Sequence, residues 1–311
     1  MAYKNIKTYK KGYLKVSNNN KIYFELSGNP KGIPILFVHG GPGGGFSQKD
    51  KRFFNPKKFN VICFDQRGSG KSKPFASLDN NTTQDLVEDI KYLLDYLKIN
   101  KTYLFGGSWG TTLSLVYAIS YPKTVKGLVL RGIFLPSKKD NDYFVYESKS
   151  THPEAWENFT RNIPRNIIKN RKIEEYVYQK TKSKNKKERL KYTKLWSEFE
   201  FSVSKLVYSK EKIKQALKEI KHEAFARIEL HYLTNNCFLP NNYIINNAGK
   251  IRNIPLTIIH GRYDCVCSPS SAYELHKAVP KSKLIFTLAG HSASDPNTEK
   301  ALIMAVNSIS K

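Results

Sequence analysis

Acidic residues are the scarce class in this chain. Its 311 residues hold 26 Asp and Glu against 52 Lys and Arg, a formal net charge of +26. Such an excess raises the question of nucleic acid. No zinc-ligand spacing or RNA-binding aromatic motif accompanies the lysines, which are spread along the chain and densest between Lys169 and Lys221. They read as solvated outer faces, and no nucleic-acid partner is expected. Long apolar runs are also missing. Nothing approaches the ~18 residues that a membrane helix needs, so no membrane partner is expected either. The opening Met1-Ala2-Tyr3-Lys4-Asn5 lacks the apolar stretch of a secretory signal. Cysteine is limited to Cys63, Cys237, Cys265 and Cys267, with no C-x-x-C pair. Cys265 and Cys267 stand too close in the chain for an ordinary disulfide. A disulfide framework is thereby excluded, and a reducing, cytoplasmic setting is expected.

The chain does have a core. Hydrophobic residues make up 40% and aromatics 13%, ample for a large packed domain. Short apolar runs predict strands at residues 22–26, 33–39, 61–65, 102–107, 127–132, 256–261 and 284–288. Several are apolar almost throughout, as strands covered on both faces should be. Helix-period segments lie between them. Residues 83–97 carry Leu86, Ile90, Leu93, Leu94 and Leu97 at helical spacing behind a Thr82/Asp85 capping pair. Ser268-Pro269 reads as the start of a helix running to about Ala278. This alternation predicts an α/β fold: a mostly parallel sheet with helices on both faces. It breaks off over residues 135–250, which are helix-like, aromatic and basic. The expected organisation is a core of residues 1–134 and 251–311 with a helical cap, 135–250, inserted over the ligand-binding edge of the sheet.

The chemistry centres on Gly106-Gly107-Ser108-Trp109-Gly110. It is a G-x-S-x-G set between a predicted strand and a helix-like run, residues 111–121. A serine on such a turn is held out of the sheet, and the helix start favours negative charge beside it. A serine nucleophile needs a base, and the base needs a carboxylate to orient it. Asp264, in His260-Gly261-Arg262-Tyr263-Asp264, and His291, in Ala289-Gly290-His291, both follow predicted strands. They complete the chain order Ser, Asp, His. His39, His231 and His260 are read as structural. His39-Gly40-Gly41-Pro42-Gly43-Gly44-Gly45 follows a strand and lets backbone amides approach a reacting carbonyl. The amides of Gly41 and Trp109 are the expected oxyanion donors. Asp65-Gln66-Arg67-Gly68-Ser69-Gly70-Lys71-Ser72 is not a nucleotide loop, because Arg67 sits where the first glycine of G-x-x-x-x-G-K-S belongs; a tight turn is expected. Acyl transfer of this kind calls for no metal or organic cofactor. Cys265 and Cys267 follow Asp264 directly, so thiol reagents are expected to crowd the site.

Together, residues 39–45, 65–72, 106–112, 131–134 and 261–264 resemble the proline iminopeptidases, serine peptidases of the α/β-hydrolase fold that release N-terminal proline. The resemblance covers nearly the whole chain, from about residue 12 to 306. It implies short peptides with N-terminal proline as substrates. It also implies that two cap glutamates read the free amine. They are Glu200 in Trp196-Ser197-Glu198-Phe199-Glu200 and Glu229 in Ala226-Arg227-Ile228-Glu229-Leu230-His231-Tyr232. Physical chemistry agrees, since an ammonium entering a dry pocket needs countercharge. Phe134 matches the family's apolar contact to the proline ring. The chain departs from the pattern at Phe199, Leu230 and Leu233, and matches it loosely at Tyr143-Phe144-Val145. The alternative is a general esterase or amidase, which would share Ser108, Asp264 and His291 but need no acids in the cap.

Overall fold

The computed structural model describes every residue except 1, 5, 18, 208, 310 and 311. Among the described residues, eight strands form one sheet: β1 Thr8–Lys15, β2 Lys21–Gly28, β3 Ile33–Val38, β4 Phe59–Asp65, β5 Thr102–Gly107, β6 Val125–Arg131, β7 Leu256–Gly261 and β8 Lys283–Thr287. Their order across the sheet is β1-β2-β4-β3-β5-β6-β7-β8. The pairs β1–β2 and β2–β4 are antiparallel, and β4, β3, β5, β6, β7 and β8 run parallel. Four helices flank the sheet: α1 Thr83–Tyr96 and α2 Trp109–Ser120 in the first half, α11 Pro269–Ala278 and α12 Pro296–Ser308 in the second. Between β6 and β7 come α3 Lys138–Val145, α4 Pro153–Thr160, α5 Arg165–Lys169, α6 Ile173–Thr181, α7 Lys186–Val203, α8 Lys210–Glu219, α9 His222–Leu233 and α10 Tyr243–Asn246.

The near-continuous apolar strands are covered on both sides. β4 is buried at every position. In β3, Leu36 and Val38 join one core with residues of α1, α2 and α11, while Ile35 and Phe37 join a second with Leu302, Ile303 and Val306 of α12. Period-two alternation thus feeds two layers from one apolar run. Each such side chain contributes about 1.5–3 kcal/mol on burial. The insertion has its own centre in the fully buried Trp196 of α7. The Trp196 ring lies 5.6 Å from that of Phe144 and 5.7 Å from that of Phe159, with Phe159 stacked on Phe199 at 4.4 Å.

Both expected helix starts are present. Thr82 Oγ1 accepts from the Asp85 amide at 3.3 Å, and Asp85 Oδ2 accepts from the Thr82 amide at 3.1 Å. Ser268 caps α11 by accepting from the Ser270 amide at 3.3 Å. The loop after β4 is the expected turn, with the Asp65 carboxylate accepting from the amides of Phe46 and Lys71 at 2.9 and 2.7 Å.

Most strand ends differ from the sequence reading by one or two residues, and three departures have a physical reason. β1 was not anticipated: it is an edge strand whose lysines are exposed, so it lacks an apolar signal. Such lysines blunt an open edge against pairing with other chains. α2 begins at Trp109, two residues before the predicted run, because the helix starts directly from the turn at Ser108. β6 ends at Arg131; Gly132, at φ +62°, turns the chain out of the sheet.

Candidate active site

Ser108 stands between β5 and α2 with φ 56° and ψ −128°, a conformation that costs a non-glycine residue about 1–3 kcal/mol. The flanking glycines make the turn feasible. A Cβ on Gly106 would meet the Gly110 carbonyl oxygen at 2.4 Å, and one on Gly110 would meet that of Val38 at 2.1 Å. G-x-S-x-G is therefore a steric requirement of a strand, a turn and a helix crossing within one backbone width.

His291 lies on the loop after β8. Its Nδ1 is 2.8 Å from Asp264 Oδ2. The other oxygen, Asp264 Oδ1, accepts from the amides of Val266 and Cys267 at 2.9 and 2.8 Å. Burial opposes ionisation of Asp264, but His291, His260 and the Cys267 amide outweigh it and hold the carboxyl below its ordinary value. Asp264 is thus an anion pinned against His291, with His260 Nε2 also 3.4 Å from Oδ2. His260 is structural, as expected: its Nδ1 accepts from the Ile133 amide at 3.0 Å, so Nε2 carries the proton toward the Cys267 carbonyl at 3.0 Å. His39 is similarly occupied, accepting from the Gln66 amide at 3.0 Å, and burial lowers it to about 4. His231 is tied to Tyr178 Oη at 2.8 Å.

A cavity of about 570 Å³ is lined by Gly41, Ser108, Arg131, Glu200 and His291. It brings together residues from five loops or elements far apart in sequence. Trp109 is fully buried and does not line the cavity; its indole donates to Gln66 Oε1 at 2.9 Å. Phe134 is buried just after β6 and is tied to the start of α2, where its amide donates to Thr111 and its carbonyl accepts from Thr112.

The two glutamates are neighbours. Glu200 on α7 and Glu229 on α9 are both buried, close enough for the charge of Glu200 to act on the Glu229 carboxyl. Glu229 Oε2 accepts from Trp196 Nε1 at 2.6 Å, whereas Glu200 Oε2 is buried without a partner. Burial raises both carboxyls well above their ordinary value, and for Glu229 the charge of Glu200 adds to the effect. No cation among the described residues pairs with either.

One expected contact is not made. Ser108 and His291 face the same cavity, but no hydrogen bond joins their side chains among the described residues; the Ser108 hydroxyl lies beside the Cys267 thiol. His291 Nε2 instead meets Arg131 Nη1 at 3.1 Å. In the sequence Arg131 is only one member of the 131–134 stretch, and its position is decided by tertiary structure. The signal for it was Gly107. A Cβ there would meet Arg131 Nη2 at 2.4 Å, so the second glycine before the serine makes room for a guanidinium.

A Ser-turn at the end of a parallel strand, with an aspartate-bound histidine beside it, defines the α/β hydrolases. A profile of the alpha/beta hydrolase fold matches residues 33–298. An esterase from Exiguobacterium antarcticum superposes with TM-score 0.69 at 18% identity, covering 97% of this chain and all (100%) of that one. The esterase RhEst1 from Rhodococcus superposes with TM-score 0.63 at 16% identity and 98% coverage of each chain. These likenesses speak for the fold alone. Among curated proteins, the proline iminopeptidase of Arabidopsis thaliana is 43% identical over 307 residues, 97% of this chain and 80% of its own length. That of Neisseria gonorrhoeae is 43% identical over 302 residues, covering 96% and 95%. That of Xylella fastidiosa strain 9a5c is 40% identical over 312 residues, covering 98% of each. The chain belongs to the proline iminopeptidase family of serine-type hydrolases. No helix among the described residues is long and apolar enough to cross a membrane.

Proposed function

We propose that the chain is an aminopeptidase that releases proline from the N-terminus of short peptides, with residues 135–250 acting as the cap that reads the free amine. The observation that carries this reading is the Glu200–Glu229 pair. Two acids buried against each other with no cation are costly, and they gain most from a protonated amine delivered by the substrate. An esterase acting on neutral substrates has no use for them.

In the reaction, Ser108 Oγ attacks the first peptide carbonyl while His291 Nε2 takes its proton. Asp264 holds the imidazole tautomer and stabilises the imidazolium. The amides of Gly41 and Trp109 receive the oxyanion, each worth about 2.7–4 kcal/mol in the transition state. His291 returns the proton to the departing amine, and water then releases proline from Ser108 by the same steps. Phe134 borders the proline ring. The Ser108 hydroxyl must first turn to Nε2, and Arg131 must leave that atom. The free thiols Cys63, Cys237, Cys265 and Cys267 suit a reducing, cytoplasmic setting.

The test is hydrolysis of proline β-naphthylamide beside a short neutral ester. Glu200→Gln should lower kcat/KM on the amide roughly 100-fold, the scale of a lost buried charge pair, and change ester hydrolysis far less. Equal losses on both substrates would leave the enzyme a general esterase.

A further inference from the structure

We propose that Arg131 selects the leaving side of the substrate: its guanidinium takes the free α-carboxylate of a dipeptide, and in doing so it uncovers His291. This rests on the aminopeptidase reading above.

Arg131 is placed where the leaving amine departs. Nη1 lies 3.1 Å from His291 Nε2 and donates to the His291 carbonyl at 2.9 Å. Nε2 is the atom that hands the proton to the leaving group. Any donor beside it therefore borders the nitrogen of the second residue. In a dipeptide the carboxylate carbon is two bonds from that nitrogen, about 2.5 Å away. A guanidinium within reach of Nε2 is then within reach of both carboxylate oxygens, which suits its forked donors. In a longer peptide the same carbon belongs to a neutral amide.

Arg131 also lacks an anion. Its Nε is buried with no hydrogen-bond partner among the described residues. No carboxylate among the described residues forms an ion pair with it; Asp264, the acid that acts on it most, is engaged by His291 and His260. A cation so placed is costly until an anion arrives. The rim of the cavity carries both signs and only a slight basic excess, with Lys49, Arg52, Lys205 and Lys212 set against Asp50, Glu219 and Glu299, and Lys49 paired with Glu219 at 2.8 Å. The choice falls to the guanidinium at the floor.

The same contact holds the free enzyme idle. A lone pair on Nε2 that faces Arg131 cannot accept the Ser108 proton. A carboxylate that binds the guanidinium better than the imidazole does would draw it off and release the base.

The experiment measures kcat/KM for Pro-Gly and for Pro-Gly amide, with proline β-naphthylamide as a neutral reference. Wild type should prefer the acid by roughly tenfold, the scale of one charge-assisted hydrogen bond. Arg131→Gln should bring the ratio to about one, and Arg131→Lys should keep part of it. A ratio needs only residual activity, so a general loss of activity cancels. If Arg131→Gln has none, binding of the two ligands to Ser108→Ala decides, with Pro-Gly expected to bind roughly tenfold tighter. Equal wild-type rates on acid and amide, or an unchanged preference in Arg131→Gln, overturn the proposal. Failure of wild type on all three compounds would instead sink the aminopeptidase reading, and this proposal with it.

Discussion

Trp196 donates its indole N–H to Glu229 Oε2 at 2.6 Å, with both side chains buried. This bond fixes one carboxyl of the pair and leaves the other, Glu200, turned to the cavity wall with an unpaired oxygen. Trp196→Phe keeps the ring but removes the donor. KM for proline β-naphthylamide should rise several-fold with a smaller change in kcat, and stability should fall by about 1–3 kcal/mol for the unsatisfied carboxyl. An unchanged KM would show that Glu229 does not need the indole to hold Glu200 in place.

The raised carboxyls make stability depend on pH in a defined direction. Burial raises Glu200 from 4.5 to about 7 in the folded chain. Near pH 4 the group is neutral folded or unfolded. As pH rises through its folded value, the unfolded chain ionises first and stability drains away. Glu200→Gln removes this loss, so the variant should gain on wild type between pH 5 and pH 8, by on the order of 2 kcal/mol. Thermal melts at the two pH values check it; a pH-independent difference would contradict the buried acid pair.

Ser108 carries backbone strain that glycine would relieve. At φ 56° and ψ −128°, the relief of about 1–3 kcal/mol exceeds the roughly 0.5–1 kcal/mol that glycine costs through chain entropy. Ser108→Gly should therefore unfold at higher urea, by roughly 1 kcal/mol, while losing fluorophosphonate labelling. A destabilised variant would argue that the turn is relaxed.

The cysteines beside Asp264 should not behave alike. Cys267 is buried with its thiol against the Ser108 hydroxyl, whereas Cys265 is partly open and bonded to Thr151 at 3.5 Å. Burial raises both thiols, so both should react slowly at neutral pH. Modification of Cys267 should abolish hydrolysis, and modification of Cys265 alone should leave most of it. Cys267→Ala treated with N-ethylmaleimide, with sites mapped by mass spectrometry, separates the two; inactivation of that variant at the wild-type rate would assign the effect to Cys265.

The local features were legible because each depends on a short stretch of chain. Apolar strands such as β4 announce burial on both faces, Thr82/Asp85 and Ser268-Pro269 announce helix starts, and G-x-S-x-G announces a turn that only glycines can flank. The lysine-rich β1 carried no such signal, because an edge strand owes its place to its neighbour rather than to its own apolar residues. Tertiary structure alone decided which side chains meet across the cavity. It set Arg131 rather than Ser108 against His291, the Cys267 thiol against the Ser108 hydroxyl, and Glu229 on Trp196 with Glu200 left unpaired. Sequence names the groups and their order. Whether a buried charge finds a partner depends on distances between elements that are far apart along the chain, and only packing sets those distances.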